Sequence, residues 1–178
     1  MLGFVALGVV TTGAAARPAA KRALSLVPPH RPIPLRATIA DALRDRADKM
    51  APSVTSIDQA IQAALAITCS SLSFGMGHKA RWHFDEHERV AHCEEYAQLF
   101  AVLLVRILAK VGHQARVSIL RSNTRILGRP IYRPGWRTHD WVRVVDTASK
   151  RPWCVDPSFA DTGLGWDVSD NVVVPAAD

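Results

Sequence analysis

Cys93, His139 and Asp156 are the residue types that acyl transfer through a thiol requires. A thiolate attacks a carbonyl, an imidazole passes protons, and a carboxylate holds the imidazole in one tautomer and orientation. Cys93 heads a run in which, from Tyr96 to Val111, only Gln98, Arg106 and Lys110 are polar. At the first turn of such a helix, the dipole and the free amide groups favour a thiolate. His139 opens the segment "HDWVRVVDT", with Trp141 two residues later on the same strand face. Asp156 closes "RPWCVDPSF" and is followed by Pro157. The three residues lie 46 and 17 positions apart, so only a fold can join them. The backbone amide of Cys93 is the first candidate to stabilise an oxyanion, with Trp82, His83 and His92 as weaker ones. Glu94 and Glu95 suit a helix start but would oppose a thiolate if they faced it.

A second chemistry competes. His83 to His87 reads H-x-x-E-H, which on a helix would set His83 and His87 on one face with Glu86 as a base, as in a zinc peptidase. Such a site needs a further acidic ligand, usually a distant glutamate, and no glutamate follows Glu95. The expectation is therefore a site with neither metal nor cofactor. Looser metal binding by His78, His83, His87 and His92 is the lesser alternative.

The elements that must carry these residues follow from spacing. "TIADALRDRADKM" reads as a short helix capped by Thr38, and "TSIDQAIQAALAITCSSL" as a second one. In the latter, Ile57, Ile61, Ala64, Leu65 and Thr68 share a face. A turn over 70–77 and a polar connection lead to the helix opened by Cys93, which is apolar on most sides and so belongs at the centre. Gly112 suits its left-handed end. A strand from "HQARVSILR", a hairpin in "SNTRILGRPIYRPGWRT" and two strands joined by "ASK" come after it. Helices first and hairpin-ordered strands second predict an α+β domain, a central buried helix packed on a mainly antiparallel sheet. Tyr96, Phe100, Leu104 and Cys154 read as core.

With those segments in place, the chain resembles the transglutaminase-like superfamily. "HCEEYAQLFAVLLVRILAKVGHQARV", "THDWVRV" and "WCVDPSF" look like its three motifs, in order, over roughly 55–161. The resemblance implies a papain-like fold in which Cys93 is the nucleophile, His139 the general base and acid, and Asp156 the orienting carboxylate. Tyr96, Ala97, Gly112, Ala115, Arg116, Trp141, Trp153 and Pro157 fall on supporting positions. Ala91 stands where a glycine is common, and Asp140 where a small residue is frequent. The implied activity is cysteine-dependent acyl transfer on peptide or side-chain amides through a thioester, as a peptidase or amidase rather than a cross-linker. A catalytically silent binding module on the same fold is the alternative, with the zinc peptidase behind it.

Composition sets the remaining bounds. At 178 residues, 48% hydrophobic and 21% charged, the chain suits one globular domain rather than disorder. The net charge is +6, and eight Arg or Lys residues between 106 and 137 meet no carboxylate. That stretch suits an anionic partner, while no nucleic-acid-binding signature accompanies it. Residues 1–16 resemble a secretory signal without its basic start, so export to the envelope or membrane association through the N-terminus is expected over a cytoplasmic location. Residues 17–37, with five prolines, read as a linker or an extended arm packing on the domain, not as a core element. The domain then runs over 38–171, with a tail at 172–178. Of three cysteines, Cys69 and Cys154 could pair after export and leave Cys93 free.

Overall fold

Before Val111 apolar residues recur at helical spacing, and after it strand spacing dominates, so the chain divides into a helical layer and a sheet layer. The computed structural model describes residues 21–77, 79–132 and 135–174. In chain order come β1 (Leu24–Ile33), β2 (Thr38–Ile39), α1 (Asp41–Met50), α2 (Ile57–Ser71), β3 (Leu72–Phe74), β4 (His83–Phe84) and β5 (Arg89–Ala91). Then follow α3 (Cys93–Val111), β6 (Ala115–Ile126), β7 (Arg129–Pro130), β8 (Thr138–Asp146), β9 (Pro152–Val155) and α4 (Pro157–Asp161). The main sheet runs β1-β6-β8-β9, every neighbour antiparallel, with β7 folded back on β6. Two small parallel pairs, β2 with β4 and β3 with β5, brace the approach to α3. The architecture is α+β with a mainly antiparallel sheet, as the order of elements foretold.

α3 is the centre. Tyr96, Ala97, Leu99, Phe100, Leu103, Leu104 and Ile107 are fully buried between α1, α2 and the Val142–Val144 face of β8. Gly112 ends the helix at φ 75, a conformation that costs a residue without Cβ nothing. The polar Gln98 is also fully buried, and all its groups are used. Its Oε1 accepts from the backbone N–H of Arg36 (2.7 Å) and Ala37 (3.1 Å), and its Nε2 donates to the Pro34 carbonyl (2.8 Å). A single side chain thus fastens the 34–37 segment to the helix.

Three expectations need correction. The turn expected over 70–77 is instead the end of α2 followed by β3, because Leu72–Phe74 pair with Arg89–Ala91 and Leu72 is buried. Thr38 does not cap a helix: α1 starts at Asp41 behind Ala40, and Thr38–Ile39 pair with His83–Phe84 instead. Ile39 and Phe84 are both buried there, and tertiary burial outweighs the local capping preference. The proline-rich segment does pack on the domain as an extended arm, but it is also a core element, because Leu24–Ile33 is a ten-residue strand of the main sheet with Leu26 fully buried. A register shift between Val27 and Arg31 absorbs Pro28 and Pro29, so prolines sit at an edge strand's irregularity, where no ladder N–H is missed. The signal-like segment at 1–16 lies outside the described residues. No helix among the described residues is long and apolar enough to cross a membrane.

Candidate active site

α3 begins at Cys93 because Glu95 closes the turn in front of it. Its carboxylate accepts from the backbone N–H groups of His92 (3.4 Å) and Arg81 (3.1 Å) and from the Arg89 guanidinium (3.2 Å). This is the capping-box geometry, and it turns the fully buried Glu95 back into the helix start, engaged with those donors. The Cys93 amide, first in the helix, has no intrahelical acceptor by position.

The sheet supplies the other two groups. β8 pairs His139 with Ser122 of β6, and β9 ends one residue before Asp156. Asp156 is fully buried and serves two purposes at once. Its Oδ1 caps α4, accepting from Ser158 N (3.0 Å), Ser158 Oγ (2.7 Å) and Phe159 N (3.1 Å). Its Oδ2 meets His139 Nε2 at 2.5 Å. The Phe159 ring packs against the imidazole at 5.2 Å between centroids. His139 is in turn hydrogen-bonded to the Cys93 thiol, so one imidazole links thiol and carboxylate. All three sequence-predicted site residues converge.

Electrostatics follow from that contact. Burial alone would push the Cys93 thiol up, but the charge and hydrogen bond of His139, with a hydrogen bond from His92, bring it down to about 7. Burial would likewise lower His139, yet the Asp156 carboxylate and the facing thiolate hold it well above its ordinary value. Near neutral pH the pair therefore exists substantially as thiolate and imidazolium. Burial instead raises Cys69 to about 11 and Cys154 above its ordinary range.

Arg121 answers the question posed by the neighbouring acids. Its guanidinium binds Asp140 in bidentate fashion (2.7 and 2.8 Å) and reaches Glu94 at 3.0 Å. Asp140 follows His139 and Glu94 follows Cys93, so one cation ties the two halves of the site and offsets two carboxylates. The Asp140 charge opposes the Cys93 thiolate. Replacing Arg121 by methionine should move the pH midpoint of Cys93 alkylation upward. It should also cost about 2–3 kcal/mol in urea melts, less than a fully buried pair because Arg121 is 33% exposed. An unchanged midpoint in a folded variant would show that the clamp does not act on the thiol.

The remaining candidates separate clearly. His92, one residue before Cys93, hydrogen-bonds the thiol and lies 3.8 Å from Glu95 Oε2, so a second imidazole belongs to the site. His83 Nδ1 lies 3.1 Å from Thr38 Oγ1 and is exposed, engaged away from the site. The zinc alternative fails on geometry: residues 83–87 form a short strand and a bend, not a helix, and His87 N–H donates to Asp85. Among the described residues no His, Cys, Asp and Glu group could hold a metal ion. Cys69 and Cys154 are free thiols; Cys69 faces the Pro157 carbonyl, and Cys154 packs with Leu26, Trp141 and Val168 across the sheet. Tyr96 is core, and its hydroxyl donates to Asp161 at 2.6 Å.

Sequence reasoning missed the Arg121 clamp, because only the pairing of Arg121 with Asp140 in the β6–β8 register makes it visible. It undervalued His92, for which adjacency to Cys93 and the following Glu95 were the available signal. Two cavities, of about 410 Å³ beside Cys69 and Trp166 and about 820 Å³ beside Gly112 and Trp153, contain none of the three site residues. Compared with models of known families, with curated proteins and with solved structures, the chain shows no match.

Proposed function

We propose that this protein is a transglutaminase-like thiol enzyme of papain-like architecture that cleaves or exchanges amides through a thioester on Cys93. The observation that carries the proposal is His139, hydrogen-bonded at once to the Cys93 thiol and to the buried Asp156. The Cys93 sulfur attacks the amide carbonyl carbon while the imidazolium gives its proton to the departing nitrogen, which leaves as ammonia or an amine. A thioester remains. Water then loses a proton to the neutral imidazole and attacks the thioester, releasing the acid and restoring the thiolate–imidazolium pair. The Cys93 amide and the His92 side chain are the donors we assign to the oxyanion. The reaction needs no cofactor.

Within this reading we take hydrolysis as the first activity to test, with amine transfer as the other outcome. Incubating the full chain with a peptide library and a labelled primary amine, read by mass spectrometry, tests the reading. New termini or deamidated side chains that vanish with Cys93→Ala support peptidase or amidase action, and amine adducts would instead indicate cross-linking. Binding of peptides with no product, and no difference between Cys93→Ala and the native chain, would reduce the protein to a binding module.

A further inference from the structure

The hairpin of β6 and β7 carries a surface independent of the thiol site. Its two-residue loop, Leu127–Gly128, has φ 49 and 75, a type I′ turn. Asparagine before glycine suits that turn, whereas a leucine there holds a left-handed conformation that L side chains disfavour. The leucine brings no compensating burial: it is 78% exposed. A strained, exposed leucine is a local conflict of the kind retained for a contact outside the fold.

Its surroundings define that contact. Ile126, Tyr132 and Trp136 are 44%, 82% and 46% exposed, against a background in which most large apolar side chains are buried. Arg125, Arg129 and Arg137 are exposed between them and make no ion pair among the described residues. No carboxylate occurs between Glu95 and Asp140. The exposed residues sit at and beside the hairpin turn. Aliphatic tip, flanking arginines and neighbouring Tyr and Trp are the chemistry of a lipid interface.

The tip is also anchored where the N-terminal sequence enters. Leu127 N–H donates to the Ala23 carbonyl (2.8 Å), and Ile126 pairs with Leu24. From the exposed Leu127 turn and its unpaired arginines, we infer that the β6–β7 hairpin docks on an anionic phospholipid surface.

Sedimentation of the full chain with phosphatidylcholine vesicles, with and without phosphatidylglycerol, tests this. Phosphatidylglycerol should strengthen binding at least about tenfold, and added salt should weaken it. Because Leu2–Val10 could bind lipid itself, the decisive comparison is between variants. Leu127→Asn, which suits the turn and should not lower the melting temperature, is expected to weaken binding about fivefold to tenfold. Arg125→Gln with Arg129→Gln should weaken it about thirtyfold. Native-like binding by both variants overturns the inference, as does equal binding to neutral vesicles. Binding of polyglutamate with none to vesicles overturns it in favour of an acidic polypeptide.

Discussion

At pH 7 a limiting amount of iodoacetamide should label one thiol of three, Cys93, with a pH midpoint near 7. The neighbours stay silent because burial holds Cys69 near 11 and raises Cys154. In His139→Ala the burial that opposes the thiolate loses its main counterweight, and the midpoint should rise above the free-thiol value of about 8.5. The thiolate fraction at pH 7 then falls at least about fifteenfold, while the more basic sulfur gains roughly fivefold in nucleophilicity. The alkylation rate at one pH therefore changes only about threefold, and the midpoint is the discriminating measurement. Amide turnover should fall much further, by at least about 10³-fold, because the variant also lacks the acid for the leaving nitrogen. The sign is set by the charges: Cys93 is depressed by a cation, so removing the cation sends it up. A midpoint near 8.5 in both proteins would sink the thiolate–imidazolium pair.

The second large effect belongs to Asp156, where catalysis and folding share a side chain. Asp156→Ala removes the acceptor of three donors at the start of α4 and the buried countercharge of His139. A loss of about 3–5 kcal/mol in urea melts is expected, the range for a broken buried pair plus a lost cap. Asp156→Asn separates the two roles. The three donors at Oδ1 demand an oxygen there, so the amide nitrogen must face His139 Nε2. A donor at that place leaves Nε2 unprotonated and puts the ring proton on the nitrogen facing Cys93, the wrong tautomer for a base. The Asn variant should therefore keep most of the stability, lose about 10³–10⁴-fold in turnover and show a raised Cys93 midpoint. If it retains turnover, Asp156 acts as a cap and not as the orienting carboxylate.

The individual segments were legible from their spacing. Ile57 to Thr68 reads as a helix face, Tyr96 to Val111 as a central helix, and "HDWVRVVDT" as a strand, and each forms as such. Local periodicity suffices where it agrees with burial. It failed at Thr38, where Ile39 finds a buried place beside Phe84 instead of starting a helix, and at Leu24–Ile33, where five prolines around the segment concealed an edge strand. Both failures have one cause: the partner strand lies dozens of residues away, and its pull does not register in local composition.

For the site, residue types and order alone nominated Cys93, His139 and Asp156, because a thiol at a helix start, a histidine opening a strand and an aspartate before proline each constrain their own backbone. What they touch was beyond that reach. Whether Glu94 and Glu95 oppose the thiolate depended on Arg121 and Arg89, and whether His83 or His92 joins the site depended on how β4 and α3 are laid down. Side-chain identity travels with the chain, whereas the charge that faces a thiol is set by strand register and helix placement. Those are decided by long-range burial, so the tertiary structure alone settles them.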